Sequence, residues 1–155
     1  SKLNDLTYGN FNYERIIDTD VRVCKVLNSF ITINYHLPSF SDNIYIGDSW
    51  EYFEYDDGGF FSLHKDRKRN KYHKYTILVY PPLNLLNCNN NETIDSNISG
   101  GELTLYPFDS TDFSINIKMN LYQWSSIIFP IDIPHESIKI KGVSKALFKG
   151  VGMSI

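Results

Sequence analysis

The sequence has little cysteine and no long apolar run. Its 155 residues include two cysteines, Cys24 and Cys88, which are far apart and in contexts unlike Cys-x-x-Cys, so neither a disulfide framework nor a cysteine zinc site is expected. No stretch approaches the roughly 18 consecutive apolar residues that cross a bilayer. We therefore expect a soluble, intracellular protein, in the simplest case cytoplasmic, with no membrane partner.

An excess of positive charge is also missing. The chain carries 15 Lys and Arg against 18 Asp and Glu, a formal net charge of -3 at pH 7. Proteins that bind nucleic acid without sequence preference are normally basic, so a nucleic-acid contact would need a local basic patch. One such patch is the segment 65–74, which contains Lys65, Arg67, Lys68, Arg69, Lys71 and Lys74.

The first element expected from the hydrophobic pattern is a helix. Asp18 or Thr19 can cap it, and Pro38 prevents its continuation. Its apolar positions recur at helical spacing, and they are Val21, Cys24, Leu27 and Ile31. We predict one amphipathic helix that packs on the outside of a sheet.

After this helix the pattern favours strands. Aromatic residues make up 15% of the chain and lean the composition toward β-structure. Gly, Pro, Asp or Asn separates the candidate strands, which are 44–46, 50–55, 61–66, 75–80, 102–106, 113–119, 125–129, 137–140 and 145–153. We predict an all-β core with a flanking helix, in a sandwich or jelly roll of about eight strands. Residues 1–155 are expected to form a single domain, with an N-terminal helical flank (1–43) and a β core (44–155).

A candidate metal site begins at His64 and Asp66. Residues two apart on a strand point to the same face, so these side chains should project together. His135 has the best context for a third ligand, since it follows a hydrophobic strand and a Pro-bounded turn. Two His and one carboxylate form the facial triad typical of non-heme Fe(II) oxygenases. The alternative, unrelated polar residues at strand ends, stays open because a lone His-x-Asp pair is a weak signal.

Two lysines near the C-terminus are candidates for holding an organic acid. Lys145 follows the turn at Gly142, and Lys149 shares its face by strand parity. A buried carboxylate needs a cationic partner, and we place Lys145 first and Lys149 second for this role. Both could instead be exposed lysines on an edge strand.

Four segments resemble, in order and at fitting separations, motifs of a known family: YFEYDDGGFFSLHKD, YTILVYPPLN, GGELTLYP and IIFPIDIPHESIKIKGVSKALF. From about Trp50 to Met153 the chain resembles the 2-oxoglutarate- and Fe(II)-dependent dioxygenases, specifically the prolyl 4-hydroxylase-like branch. The resemblance implies a double-stranded β-helix, a cupin-like jelly roll of two facing sheets. It also implies that the iron ligands are His64, Asp66 and His135.

Further roles follow from the same resemblance. Lys145 would hold the distal carboxylate of 2-oxoglutarate, Tyr80 would hydrogen-bond that carboxylate, and Tyr55 would face the cofactor pocket. Either tyrosine could instead be an aromatic core residue. The implied cofactors are Fe(II), 2-oxoglutarate and O2, with ascorbate as reductant. The implied reaction couples decarboxylation of 2-oxoglutarate to succinate and CO2 with hydroxylation of a C–H bond.

Three functions are compatible with this sequence. The first is hydroxylation of a protein side chain, with proline as the first candidate, on a peptide gripped near the basic segment 65–74. The second is an oxygenase acting on nucleic acid or a small molecule, and the third is a non-catalytic metal-binding interaction domain of the same fold. One departure from the family pattern, Pro81-Pro82 in place of Leu-Asn, is expected to push Leu83 and Asn84 outward.

Overall fold

The computed structural model describes residues 10–16, 20–35, 44–47, 49–87 and 98–154. Each of the nine predicted strands overlaps a strand there, whereas the first two strands and the second, short helix were not predicted. In chain order the elements of these ranges are β1 Phe11–Asn12, β2 Glu14–Ile16, α1 Val21–Tyr35, β3 Ile44–Ile46, β4 Glu51–Tyr55, β5 Phe60–His64, β6 His73–Tyr80, α2 Leu83–Leu86, β7 Leu103–Leu105, β8 Ile115–Ile117, β9 Ser125–Pro130, β10 His135–Ser137 and β11 Lys145–Ser154.

The strands form two antiparallel sheets. The minor sheet has the order β1-β5-β10-β7-β8, and the major sheet has the order β2-β4-β11-β6-β9, with β3 also paired to β11. Both sheets contribute inward-facing side chains to one apolar core, which includes Phe53, Phe61, Leu78, Leu103, Leu105, Phe129 and Leu147. Two sheets packed through one core are the architecture of a jelly roll. The predicted fold class, an all-β core of this type with a flanking helix, is confirmed.

Helix α1 covers the outer face of the major sheet. The backbone N–H of Arg22 donates to Asp20 Oδ1 at 2.7 Å, which is the role of an N-cap residue. The predicted caps Asp18 and Thr19 lie outside the described residues. The helix and the sheet share a second buried cluster of Cys24, Leu27, Trp50, Ile77 and Val79. Cys24 and Leu27 were predicted from the helical spacing, whereas the side chains of Val21 and Ile31 lie outside the described part of the structure. Within the described ranges, no helix combines the length and the apolar character that a membrane span requires.

The Pro81-Pro82 pair leads into the single-turn helix α2. Leu83, the first residue of α2, is 2% exposed and belongs to the apolar core. The prediction that Leu83 points outward is therefore wrong. Pro restricts the backbone in a way that is compatible with the start of a helical turn, and this turn directs the chain back over the core.

Gly150 on β11 provides a test of the packing between the sheet and α1. A Cβ added there would lie 2.8 Å from three ring atoms of the buried Trp50, whose Nε1–H donates to Asn28 Oδ1 at 2.8 Å. Gly150→Ala must displace the indole, so we expect it to lower the free energy of unfolding by about 1–3 kcal/mol in urea titrations. Gly47→Ala is the control, because the atom nearest to its Cβ, Val151 O, is 3.5 Å away. Equal losses in the two variants would contradict this account.

Candidate metal centre

Two histidines meet across the pairing of β5 and β10. His64 ends β5, His135 begins β10, and the two are directly opposite in the antiparallel register. Directly opposite residues in a sheet have Cβ atoms about 5 Å apart, and these two rings have centroids 4.3 Å apart. Both side chains are buried. The register of one strand pair thus places side by side two imidazoles that are distant in the sequence.

Asp66 completes a cluster with the two histidines. The predicted strand 61–66 ends at His64, so Asp66 lies two residues beyond it, yet its carboxylate turns to the same side. Its Oδ1 is 3.6 Å from His64 Nε2 and 3.4 Å from His135 Nε2, and its side chain is 5% exposed. The ligand atoms of all three residues lie within 4.8 Å of one another. We call His64, Asp66 and His135 the His-Asp-His cluster.

Backbone carbonyls determine which imidazole nitrogens face the carboxylate. Nδ1 of His64 is 2.7 Å from the carbonyl oxygen of Ser62, and Nδ1 of His135 is 2.9 Å from that of Ile133. A carbonyl can only accept, so each Nδ1 carries a proton and donates it. In neutral imidazoles the Nε2 lone pairs then face Asp66 Oδ1, an arrangement that repels unless a proton or a metal ion lies between them.

The cluster fits a divalent metal ion in geometry and in donor type. An ion about 2.1 Å from each ligand atom separates neighbouring ligand atoms by roughly 3 to 3.5 Å, close to the two distances from Asp66 Oδ1. Two imidazoles and one carboxylate are the donor set of non-heme Fe(II) sites. The other carboxylate oxygen, Asp66 Oδ2, accepts a hydrogen bond of 2.6 Å from Thr76 Oγ1. This bond orients Oδ1 toward the imidazoles, as outer hydrogen bonds do for metal ligands.

The electrostatics of the cluster favour the protonation states that bind metal. Burial opposes ionisation of Asp66, but the interactions of its carboxylate with His135, Lys149 and His64 outweigh burial and hold the pKa of the carboxyl well below its usual range. Lys149 Nζ lies 3.1 Å from Asp66 Oδ1. Burial lowers the pKa of His64, which favours the neutral imidazole. A carboxylate and neutral imidazoles are the forms that coordinate a metal.

Lys145 forms a second polar site in the interior. The residue is 1% exposed, and its Nζ donates to the carbonyl oxygen of Gly101 at 2.9 Å and to Ser137 Oγ. The same nitrogen lies 4.7 Å from the centroid of the Tyr55 ring. Burial lowers the pKa of Lys145 to about 7, against the opposing charge of Glu102. The alternative of an exposed edge-strand lysine is wrong for Lys145.

One cavity of about 1460 Å³ connects the cluster with the surroundings of Lys145. Its wall includes Ser137 and Tyr55, both in contact with the Lys145 ammonium, and Tyr80, which is buried on β6. Burial, and secondarily the charge of Asp66, raises the pKa of Tyr80, so its phenol stays neutral and able to donate. Tyr55 and Tyr80 are thus at once core residues and cavity residues. The wall also carries the basic side chains of Arg67, Lys68 and Arg69 from the segment after β5, and His73 from the start of β6.

Two polar residues of this site, Thr76 and Ser137, were not assigned roles from the sequence, and Lys149 was considered only as the second candidate for holding the organic acid. Thr76 orients Asp66, Ser137 accepts from Lys145, and Lys149 pairs with Asp66. Strand alternation could have found two of them, because Thr76 shares a face with Tyr80 and Ser137 lies two residues after His135. The pairing of Lys149 with Asp66 depends on how β11 lies against the segment after β5, which no local pattern encodes.

No protein-family model matches the chain, and no curated protein does. Solved structures do match. A prolyl hydroxylase from Trichoplax adhaerens, in complex with a hypoxia inducible factor oxygen degradation domain peptide, has a TM-score of 0.63 at 17% identity, covering 96% of this chain and 66% of that one. The viral collagen prolyl hydroxylase of Paramecium Bursaria Chlorella virus-1, in a 2-oxoglutarate complex, has a TM-score of 0.54 at 14% identity, with coverages of 96% and 81%.

A third structure carries the family description itself. The 2OG-Fe(II) oxygenase family oxidoreductase from Burkholderia pseudomallei has a TM-score of 0.60 at 10% identity, covering 93% of this chain and 74% of that one. This chain has the fold of the 2OG-Fe(II) oxygenases. The resemblance predicted from the sequence motifs is confirmed at the level of the fold. On this fold, the His-Asp-His cluster lines one cavity, and the buried Lys145 contacts the wall residues Ser137 and Tyr55.

Proposed function

We propose that the protein is an Fe(II)- and 2-oxoglutarate-dependent dioxygenase that hydroxylates a C–H bond of a protein side chain, with proline as the first candidate. The observation that carries the proposal is the His-Asp-His cluster, in which two imidazole Nε2 atoms face one buried carboxylate oxygen. When bound, Fe(II) with 2-oxoglutarate and O2 supplies the oxidation, in which 2-oxoglutarate yields succinate and CO2 and one oxygen atom enters the substrate C–H bond.

Residues of the chain would fix the metal before any substrate arrives. His64, Asp66 and His135 are the proposed ligands. The carbonyl oxygens of Ser62 and Ile133 hold the Nδ1 protons, so each Nε2 keeps its lone pair for the ion. Such outer partners raise the basicity of the ligand and fix its direction.

The part of the cavity next to Lys145 would bind the distal carboxylate of 2-oxoglutarate. An ammonium has three donors, of which two go to Gly101 and Ser137, so the third is proposed to reach the carboxylate. Because Ser137 Oγ accepts from Lys145, its own proton can be donated to the same carboxylate. The phenol of Tyr80 is the proposed further donor. The Tyr55 ring beneath Nζ stabilises the ammonium by a cation–π contact.

The substrate is proposed to be a peptide or protein held at the cavity mouth by the basic residues Arg67, Lys68 and Arg69. Support comes from two prolyl hydroxylases among the similar structures, one of them bound to a peptide. Ascorbate is the proposed reductant that keeps the iron as Fe(II).

Succinate release tests this proposal. The purified chain would be incubated with Fe(II), 2-oxoglutarate and ascorbate, and succinate would be quantified with and without peptide and oligonucleotide libraries. A mass gain of one oxygen atom in a peptide identifies the substrate. A protein that binds Mn(II) but releases no succinate with any library would be a non-catalytic metal-binding domain, and the proposed activity would be wrong.

Affinity for 2-oxoglutarate should depend on pH because the free protein holds Lys145 with a pKa of about 7. The distal carboxylate needs the ammonium form, so above that pKa each binding event must also take up a proton. The dissociation constant measured by calorimetry should be constant below about pH 7 and rise about tenfold per pH unit above it. Lys145→Arg, whose guanidinium stays charged throughout, should give a flat profile. A flat profile in the unmodified protein would contradict the assignment.

A further inference from the structure

The cavity is positively charged although the chain as a whole is not. Among the described residues, its wall carries the cations Arg67, Lys68, Arg69 and Lys149 and the carboxylates Glu51 and Asp66. The chain has a formal net charge of -3. Charge of one sign gathered in a cleft with low-dielectric walls raises the local concentration of the opposite ion. This cleft therefore selects anions.

Both carboxylates of the wall already have partners. Glu51 Oε1 lies 3.4 Å from Arg69 NH2, and Asp66 belongs to the His-Asp-His cluster. Two of the four cations remain in excess over the carboxylates. The charges of a divalent ion and of dianionic 2-oxoglutarate sum to zero. Binding of both would therefore leave the excess of two cations in the wall, which can attract an anionic substrate.

Lys149 is the innermost of these cations. Its Nζ lies 3.1 Å from Asp66 Oδ1, and its side chain is 26% exposed. Oδ1 is also the oxygen that faces both imidazole Nε2 atoms. A metal ion bound to Oδ1 would compete for the same negative charge. The ion pair between Asp66 and the Lys149 ammonium would then be weaker. Arg67 and Lys68 lie further out and are exposed.

We propose that Lys149 is a specificity-determining residue that accepts a carboxylate of an acidic peptide substrate, with Arg67 and Lys68 as the outer part of the same site. This inference rests on the proposed function. A charge-assisted hydrogen bond to a carboxylate restores the partner that Lys149 loses to the metal. A peptide suits the site better than nucleic acid because the net negative charge of the protein repels an extended polyanion, whereas a few carboxylates respond to the cleft alone.

Fluorescence anisotropy on the Mn(II)-loaded full chain tests the proposal without turnover. The probes are two short fluorescein-labelled peptides of equal length, one in which a few Glu residues alternate with Pro and one in which Gln replaces each Glu. We expect the acidic peptide to bind at least about tenfold more tightly, since one charge-assisted hydrogen bond is worth about that factor. Lys149→Met should remove most of this preference and leave the affinity for the Gln peptide unchanged.

Matched variants separate a specific contact from a change in net charge. Lys118→Met removes the same charge from an exposed position outside the cavity wall and should keep the preference, as should Lys149→Arg, which retains the charge. If Lys149→Met does not fold, the double variant Arg67→Gln with Lys68→Gln changes exposed side chains alone, and it should weaken only the acidic peptide.

Several results would overturn this inference. The first is equal affinity for the two peptides. The second is a loss of acidic-peptide preference in Lys118→Met as large as that in Lys149→Met. The third is tighter binding of a labelled single-stranded oligonucleotide than of the acidic peptide. Acidic-peptide preference without succinate release under any condition would refute the oxygenase activity alone. Succinate release without acidic-peptide preference would refute the role of Lys149 alone.

Discussion

Asp66→Ala should lower the affinity for Mn(II) or Fe(II) by more than about 100-fold and abolish succinate release, because outer-sphere changes alone cost metal sites 10–100-fold. The substitution removes the anionic ligand and leaves the two imidazoles with no negative charge between them. Mn(II) affinity would be measured by electron paramagnetic resonance of the free ion, and succinate by mass spectrometry. The affinity measurement is independent of catalysis.

The controls for Asp66→Ala address folding and local charge. Asp66→Asn keeps the shape of the side chain and should lose metal to a similar degree, while circular dichroism reports whether either variant is folded. Asp109→Ala removes a carboxylate outside the cluster, which pairs with Lys65 at 3.3 Å, and should keep metal binding. An Asp66→Ala protein with unchanged Mn(II) affinity would exclude the His-Asp-His cluster as the metal centre.

Lys145→Met should raise the 2-oxoglutarate concentration needed for half-maximal succinate release on the order of 100-fold, since a buried carboxylate that loses its cationic partner costs 2–5 kcal/mol. Mn(II) affinity should not change, because the His-Asp-His cluster is intact. The melting temperature should stay the same or rise, since an apolar side chain of similar volume replaces a buried ammonium. Loss of binding with retained stability would separate a ligand contact from a folding defect.

A comparison of Lys145→Met with Lys149→Met shows which lysine has which role. Under the proposed roles, Lys145→Met changes the requirement for 2-oxoglutarate and Lys149→Met changes the affinity for an acidic peptide. If the larger rise in the 2-oxoglutarate requirement appears in Lys149→Met, the roles are reversed. The geometry favours the first assignment, because Lys149 donates to Asp66 whereas Lys145 donates to Ser137 and Gly101.

Sequence motifs located the candidate site well because its signals are local. His64 and Asp66 are separated by one residue, and His135 and Lys145 belong to a single run of sequence. The antiparallel register that sets His64 opposite His135 carries no such signal, since the pairing of two distant strands depends on the whole sheet. The sequence thus predicted which side chains meet, whereas the structure was needed to see how.

One predicted strand boundary failed where the backbone hydrogen-bonds to loops and not to a neighbouring strand. Residues 137–140 alternate like a strand, but β10 is His135–Ser137. The backbone N–H groups of Ile138 and Ile140 donate instead to the carbonyl oxygens of Glu102 and Gly59. The backbone of this segment is therefore hydrogen-bonded, but its partners are loop residues that a periodicity argument cannot identify. Strands β1 and β2 were missed for a different reason, since two or three residues are too few to establish a period.

The two imidazoles of the His-Asp-His cluster are oriented by main-chain atoms close to them in the chain, in each case the carbonyl two residues earlier. Any amino acid at positions 62 and 133 offers the same oxygen, so a substitution there does not remove the atom that orients the ring. The orientation of the metal ligands therefore depends on the backbone and not on these two side chains. Many substitutions at the two positions should retain metal binding.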